Sequence, residues 1–212
     1  MKSASKKTTL DELISLHRDK RGAILQRLDE FARVPPEEYF YEFCYCLLTP
    51  QSSAVNAAKA VSLLRARNFI NAPIDPEELL HQKEFYIRFH KTKAKHLLHA
   101  KENFPIILAK ATNGGAGTEI RKWLVENVKG MGWKEASHFL RNIGYKDLAI
   151  LDRHILKNLL KIGVLRALPK TLTPKLYGQI EKKFQSFSRE AGIPMDEFDL
   201  LFWSMETGEI LK

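Results

Sequence analysis

Apolar residues recur at helical spacing along most of this chain, in short segments that glycine and proline separate. In one such segment, Phe40, Phe43, Cys44 and Leu47 share one face of a helix. No segment alternates apolar and polar residues for long enough to indicate a strand, and the sequence contains no tandem repeat. The pattern predicts an all-α fold of roughly ten short helices packed irregularly.

Two of the predicted helices, 118–128 and 134–143, are joined by Lys129-Gly130-Met131-Gly132, which predicts a helix–hairpin–helix motif over residues 118–143. Glycine permits backbone conformations that a Cβ obstructs, and N–H groups then point outward at the positive end of the second helix. Such a hairpin binds phosphate without reading a base, so Lys129, Gly130 and Gly132 are candidate DNA contacts. A tight turn without a ligand is the alternative.

The charge balance favours a polyanionic partner. Lys and Arg number 34 against 25 Asp and Glu, for a net charge of +9, which favours nucleic acid first and an anionic membrane second. This signal is weak by itself. The longest apolar stretches fall far short of the roughly 20 residues of a membrane span, and the N-terminus lacks an apolar signal region. Cys44 and Cys46 are predicted to be buried, reduced thiols, which favours a cytoplasmic protein.

Lys134 stands at the start of the second hairpin helix, where a positive charge is electrostatically misplaced. An amine attacks only when it is neutral, and burial or nearby positive potential lowers the pKa of a lysine from its reference value near 10.4. Lys134 is therefore a candidate amine nucleophile. A solvated lysine that contacts a phosphate is the alternative.

Asp152 lies 18 residues after Lys134, between an apolar run and a predicted helix at 153–162. It is a good N-cap, because its carboxylate accepts hydrogen bonds from the N–H groups that follow. An ionised carboxylate at a partly apolar position also stabilises a developing oxocarbenium ion or helps to move a proton. Capping and catalysis are compatible roles for this residue.

The segment Gly130-Met131-Gly132-Trp133-Lys134, together with Asp152, resembles the helix–hairpin–helix superfamily of DNA base-excision glycosylases. The stretch "GWKEASHFLRNIGY…LAILDRHIL" is similar to the second type of 8-oxoguanine DNA glycosylase, the compact archaeal and bacterial form. The segments "CLLTPQSSA", "RFHKTKAKHL" and "FDLLFWSMETGEILK" extend the resemblance over most of the chain. The iron–sulfur branch of the superfamily has four C-terminal cysteines, and this chain has none there.

The resemblance implies two helical subdomains, with DNA bound across a cleft and the hairpin at its lip. We place one subdomain at 1–36 with 165–212 and the other at 37–164. The implied activity removes 8-oxoguanine through a Schiff base on Lys134, with Asp152 as the second catalytic residue, and then nicks the abasic strand. The expected partner of this monomeric, nucleoid-associated cytoplasmic protein is double-stranded DNA containing 8-oxoguanine. The chemistry requires no cofactor, and a monovalent cation on the hairpin carbonyls is compatible with it.

The resemblance also indicates residues that contact DNA beside the hairpin. Gln51, in the polar turn "PQSS", is placed to fill the hole that a flipped base leaves in the duplex. A helix-terminal glutamine with no special role is the alternative. Lys93 belongs to a basic segment that we expect to contact phosphates in part. His96 and His99 have no cysteine or acidic pair nearby, so no metal site is predicted.

Recognition of a flipped purine requires aromatic faces and edge-directed polar groups. Asp199 and Trp203 are four residues apart on one predicted helix, so a carboxylate and an aromatic plane are placed to meet one base. Core packing is the alternative for Trp203. Phe89 is a second stacking candidate, and the family resemblance suggests that the terminal Lys212 helps to discriminate the oxidised base.

Two other functions remain open from the sequence. A non-catalytic helix–hairpin–helix module would grip DNA within a larger complex, but it leaves Lys134 and Asp152 unexplained. A glycosylase for another oxidised base would keep the chemistry and change the lesion.

Overall fold

The computed structural model describes residues 9–210, so the predicted base-recognition residue Lys212 lies outside the described residues. Within that range the chain forms ten α-helices, one 3₁₀ turn and no β-strand, which confirms the all-α prediction. The helices are α1 (Leu10–Ala32), α2 (Tyr39–Leu48), α3 (Ala54–Ala66), α4 (Pro76–Leu79), α5 (His90–Thr112), α6 (Gly117–Asn127), α7 (Trp133–Asn142), α8 (Arg153–Lys161), α9 (Pro174–Ala191) and α10 (Met195–Thr207), and the 3₁₀ turn is Pro36–Glu38.

The chain divides into two compact units. The central unit is Val34–Ile143, and the terminal unit combines the described residues up to Arg33 with those from Gly144 onward. This division differs from the boundary at residue 164 that the sequence predicted. The segment 144–164 lies with the chain ends and not with the hairpin.

Buried hydrogen bonds explain why the segment 144–164 belongs to the terminal unit. The apolar run Leu148–Leu151 is buried, so its backbone N–H groups require partners. Two side chains of α9 supply them: the Ala149 N–H donates to Glu181 Oε1 at 2.8 Å, and the Leu151 N–H donates to the Tyr177 hydroxyl at 3.2 Å. Helix α8 then packs against α10.

The core of the terminal unit joins the two ends of the chain. Helix α1 packs against α10, and His17 Nε2 lies 2.6 Å from Glu197 Oε2 in a buried contact between them. The rings of Phe184, Phe198 and Phe202 stack between α9 and α10, with centroid separations of 5.3 to 6.2 Å. A unit assembled from both chain ends therefore has one continuous core.

Helix α2 lies at the centre of the other core. Nine of its ten residues are buried, and it packs against α3, α5 and α7. Phe40 meets Phe104 of α5, and Phe43 meets Phe139 of α7, each edge to face with ring centroids 5.0 Å apart. These contacts fix the positions of α5 and α7 against α2.

Two helices run through residues that often end a helix. Helix α1 continues through Gly22, whose open side meets no other atom, and α5 continues past Pro105 because Ile107 and Ala111 bury beyond it. The cysteines of α2 are free and buried, as predicted, and burial raises the pKa of the Cys44 thiol. No described helix has the length and apolarity that a bilayer span demands.

Substitution of alanine at two glycines of the terminal unit should have opposite effects. Gly178 lies inside α9 with open space around it, so Gly178→Ala should stabilise the protein by about 0.5–1 kcal/mol. Gly144 has φ +93, and an added Cβ would lie 3.1 Å from Ala32 Cα, so Gly144→Ala should destabilise it by at least about 1–2 kcal/mol. Chemical denaturation followed by circular dichroism measures both changes, and a shift of the same sign would contradict this account.

Candidate active site

The helix–hairpin–helix motif is present where the sequence predicted it, within one residue at each end. Helix α6 ends at Asn127, and α7 begins at Trp133. Between them the Met131 N–H donates to the Val128 carbonyl at 3.2 Å, which closes a four-residue turn. Gly130 is the third residue of that turn and has φ +83, the conformation for which glycine is preferred. The first N–H groups of α7 have no partner within the helix and point outward from the hairpin.

The two hairpin glycines meet different neighbours. The ring of His96, on α5, packs directly on Gly130, and a Cβ there would lie 2.3 Å from its Nδ1. Burial lowers the pKa of His96, and the charges of Lys129 and Lys93 add to that effect. Gly132 has an ordinary extended backbone and faces the flexible carboxylate of Glu135. The close packing of the hairpin against α5 therefore depends on Gly130.

A buried arginine braces the hairpin from inside. The guanidinium of Arg121, on α6, lies 5.0 Å from the ring centroid of Trp133 and donates to the hydroxyl of Ser137 at 3.1 Å. Both partners belong to α7. Trp133 therefore packs the hairpin, and the two helices are held at a fixed spacing around the turn.

Lys134 is the second residue of α7 and is partly exposed. The N-cap residue of the helix is Gly132, which has no side chain to accept its first N–H groups, so the amine lies at the positive end of a helix without a side-chain cap. Exposed Lys129 lies on the other side of the turn. The charge of Lys134 also lowers the pKa of Lys93, so the two amines interact.

Lys93 was predicted as a DNA contact in a basic segment, but its ammonium is turned inward to the protein. Its side chain is buried, with 6% of the residue exposed, and its ammonium donates to the carbonyls of Leu48 and Pro50 at 2.7 Å and to Ser52 Oγ at 3.2 Å. The carbonyls of Leu48 and Pro50 lie at the C-terminal end of α2, where a positive charge is favourable. The interpretation of Lys93 as a phosphate contact is therefore corrected.

Gln51 and Phe89 lie in two turns with left-handed backbones. Gln51 has φ 56 and is exposed, and Phe89 has φ 59 with half of its surface exposed. The guanidinium of Arg88 lies 4.9 Å from the centroid of the Phe89 ring. Left-handed backbone at a residue other than glycine costs on the order of 1–3 kcal/mol and is concentrated at functional sites.

Asp152 caps α8, as predicted. Its Oδ1 accepts the N–H groups of His154 and Ile155, both at 2.8 Å. Its Oδ2 makes no hydrogen bond within the part of the chain that the structure describes. One oxygen therefore holds the helix while the other stays available to a substrate, and the positive end of α8 stabilises the negative charge.

Two residues that the sequence did not single out connect this cap with Trp203. The ring of His154 packs on the indole of Trp203, with centroids 5.0 Å apart, and its Nδ1 lies 3.7 Å from Glu206 Oε2. The hydrogen bonds of Lys157 and Lys161 lower the pKa of Glu206. The spacing of Trp203 and Glu206 on one helix face was the available signal.

Asp199 and Trp203 differ in exposure although they share a face of α10. Only 5% of Asp199 is exposed, whereas Trp203 is partly exposed. The aromatic plane is therefore at the surface of the terminal unit and the carboxylate lies beneath it. A base would reach Asp199 only by entering a recess.

Comparison with known proteins identifies the family. A family model described as 8-oxoguanine DNA glycosylase matches residues 24–193. The chain is also 41% identical over 214 residues to the protein of Fusobacterium nucleatum that is named 8-oxoguanine DNA glycosylase/AP lyase, an alignment covering 95% of this chain and 97% of that protein. The chain belongs to the 8-oxoguanine DNA glycosylase family. The resemblance that the hairpin and Asp152 indicated is therefore confirmed.

Solved structures of the family have the same fold. The crystal structure of the 8-oxoguanine DNA glycosylase of Methanocaldococcus jannaschii matches with a TM-score of 0.85 and 33% identity, covering 96% of this chain and 95% of that chain. A structure of the same enzyme in complex with a 15mer DNA containing 8-oxoguanine matches with a TM-score of 0.84 and 33% identity, covering 94% and 99%. The similarity between this chain and the solved structures of the 8-oxoguanine DNA glycosylase family thus extends over nearly the whole chain.

Alanine substitutions at the two hairpin glycines should show which of them the packing of the hairpin requires. Gly130→Ala should destabilise the protein by at least about 1–2 kcal/mol, because it strains the backbone and displaces the His96 ring. Gly132→Ala should change stability by less than about 1 kcal/mol, since its backbone is ordinary and the Glu135 side chain can move. Thermal unfolding of both variants tests this. Equal losses would mean that the contact between Gly130 and His96 is unimportant.

Proposed function

We propose that this protein excises 8-oxoguanine from DNA and cleaves the resulting abasic strand, with Lys134 as the nucleophile. The observation that carries the proposal is the position of Lys134 in a chain of this family. It lies directly after the glycine hairpin, in the first turn of a helix whose N-cap residue, Gly132, has no side chain to accept the N–H groups. The hairpin holds the phosphate backbone through N–H groups, and the amine follows on the same rigid element.

The reaction proceeds through a covalent intermediate. The neutral amine of Lys134 attacks C1′ of the flipped nucleotide, the bond from C1′ to the base breaks, and the base leaves with a proton. Loss of the second amine proton and opening of the sugar ring give a Schiff base. Removal of a C2′ proton then expels the 3′ phosphate by β-elimination, and water releases the amine.

Asp152 supplies a fixed negative charge to this chemistry. Positive charge develops at C1′ and the ring oxygen as the base leaves, and a carboxylate stabilises it. The cap orients Oδ1 toward the N–H groups of α8 and leaves Oδ2 for the sugar or for a proton. We propose that capping fixes the direction in which the carboxylate presents Oδ2.

The remaining contacts divide between the backbone and the base. Lys129 and the N–H groups around Gly130 and Gly132 hold phosphates, which positions the duplex without reading sequence. Gln51 fills the hole that the flipped base leaves, and exposed Phe89 and partly exposed Trp203 offer aromatic faces to it. Asp199 meets the edge of a base that enters deeply.

The partner in this proposal is double-stranded DNA containing 8-oxoguanine. The M. jannaschii relative was solved with a 15mer DNA containing 8-oxoguanine, and the net charge of +9 suits a polyanion. We propose a monomer that works in the cytoplasm on nucleoid DNA. An amine nucleophile and a carboxylate suffice for the chemistry, so no cofactor is required, and the hairpin carbonyls are compatible with a monovalent cation.

Lys134→Gln should abolish excision, strand cleavage and borohydride trapping on DNA containing 8-oxoguanine. The variant should still bind that DNA within about tenfold of the wild-type affinity, because the hairpin grip uses backbone N–H groups. Gel assays of product, of trapped complex and of binding give the three readouts. Lys110→Gln, an exposed change near the end of α5, is the control and should leave all three unchanged. Undiminished trapping in Lys134→Gln would exclude this nucleophile.

Asp152→Asn should separate catalysis from capping. The asparagine oxygen can still accept the N–H groups of His154 and Ile155, so the free energy of unfolding should change by about 1 kcal/mol or less. Single-turnover excision should fall by on the order of a hundredfold or more, since the charge is lost. Asp75→Asn makes the same change at the cap of α4 and should leave excision intact. Comparable losses of excision and stability would indicate a purely structural cap.

A further inference from the structure

Two turns of the central unit present exposed side chains on strained backbones, and the ammonium of one lysine is linked to both. The Lys93 ammonium donates to the carbonyl of Pro50, directly before Gln51, and it reaches the Phe89 turn through Ser52. Left-handed backbone at residues other than glycine persists only where the surroundings hold it in place. Lys93 provides part of that restraint at both turns.

A shared hydroxyl joins the two turns to each other. Ser52 Oγ accepts from the Lys93 ammonium at 3.2 Å and from the Arg88 N–H at 3.0 Å. Ser52 directly follows Gln51, and Arg88 directly precedes Phe89. Gln51 and Phe89 are therefore each the chain neighbour of a residue that is hydrogen-bonded at this centre.

The number of hydrogens matches the number of acceptors at this centre. An ammonium group has three N–H donors, and here it meets three oxygens, those of Leu48, Pro50 and Ser52. Charge-assisted hydrogen bonds in a buried place are strong and directional. The loss of one hydrogen would leave one of the three oxygens without its donor.

We propose that Lys93 is a positioning residue for base excision: its buried ammonium fixes the Gln51 and Phe89 turns as one unit that meets the DNA. The inference rests on the proposed function, in which Gln51 enters the duplex and Phe89 faces the base. Cleavage of a ready-made abasic site has no base to displace or stack. It therefore depends much less on these turns, and the ratio of the excision rate to the abasic-cleavage rate reports the role of Lys93.

The ratio should also depend on pH. The pKa of Lys93 is lowered to about 8, chiefly by burial; the charge of Glu135 on α7 raises it and the charge of Lys134 on α7 lowers it. His96 on α5 and Arg88 in the preceding turn are the other titratable or charged groups at this centre. As the pH rises through about 8, the neutral amine retains two hydrogens for three oxygens. Both substrates use Lys134, so its own titration cancels from the ratio.

The test compares single-turnover rates on one duplex that carries either 8-oxoguanine or an abasic site. Lys93→Met should lower the ratio by about tenfold or more, since small misplacements of contact groups are costly in rate. Ser52→Ala is the milder variant, should lower the ratio by a few-fold, and should also remove its pH step, because the neutral amine then has two oxygens for two hydrogens. Lys110→Met removes a charge from the same helix, about 25 Å away along its axis, and should leave the ratio unchanged.

A double-mutant cycle separates positioning from general destabilisation. In a Gln51→Ala, Phe89→Ala background, Lys93→Met should have little further effect on the ratio, because the side chains that it positions are gone. Parallel loss of both rates in Lys93→Met, or full additivity in the cycle, would overturn the proposal. An equal pH step in wild type and in Ser52→Ala would place the titration elsewhere and overturn the ammonium as its source.

Hydrogen exchange on the DNA-free protein tests the same restraint without any reaction. The amides of Ser52 and Arg88 should exchange faster in Lys93→Met than in wild type, while Lys110→Met should not change them. Unchanged exchange would refute the link between the two turns. If the wild-type protein failed to excise 8-oxoguanine, the proposed function would fail while this measurement still decided the role of Lys93.

Discussion

Helix α2 is buried along almost its whole length, and this imposes a demand at its C-terminal end. The last carbonyls of a helix lack partners within it, and at a buried end they cannot turn to water. Lys93 meets that demand by bringing three donors and a positive charge to the end of the helix. The same contacts shape the turn that follows, so the packing of the central core sets the position of Gln51. An internal requirement of the fold thereby determines an external feature of the candidate site.

In the terminal unit a negatively charged side chain, Asp152, binds the unpaired N–H groups at the start of a helix. Helix α8 begins after a buried apolar run, and Asp152 closes its first turn with one oxygen while the second remains available. Next to it, His154 connects the cap to Trp203 through ring contact, and its Nδ1 lies 3.7 Å from Glu206 Oε2. In both units, side chains with a structural role are therefore also those for which we propose a role in the reaction. Substitutions at such positions are informative only when stability and rate are measured together.

The sequence predicted the elements whose signals are local. The glycine hairpin, the cap at Asp152 and the reduced cysteines depend on neighbours in the chain, and each was found where it was expected. The boundary after Ile143 was missed because no linker marks it, and the partners of the run that follows come from α9. Lys93 lies on the same buried face of α5 as Leu97, Ala100 and Phe104. Its burial was not predicted, because the sequence does not show the oxygens that accept hydrogen bonds from a buried lysine.

The division of the chain sets the order in which the protein can be completed during synthesis. The central unit is one continuous segment, so it can fold once Ile143 has left the ribosome. Helix α1 is made first but waits for α10, because the contact of His17 with Glu197 spans 180 positions, on the order of ten seconds or more of translation. A nascent chain therefore carries its hairpin before it carries a finished terminal unit. A ribosome that stalled between the two would display the hairpin before α10, and with it a complete terminal unit, had been made.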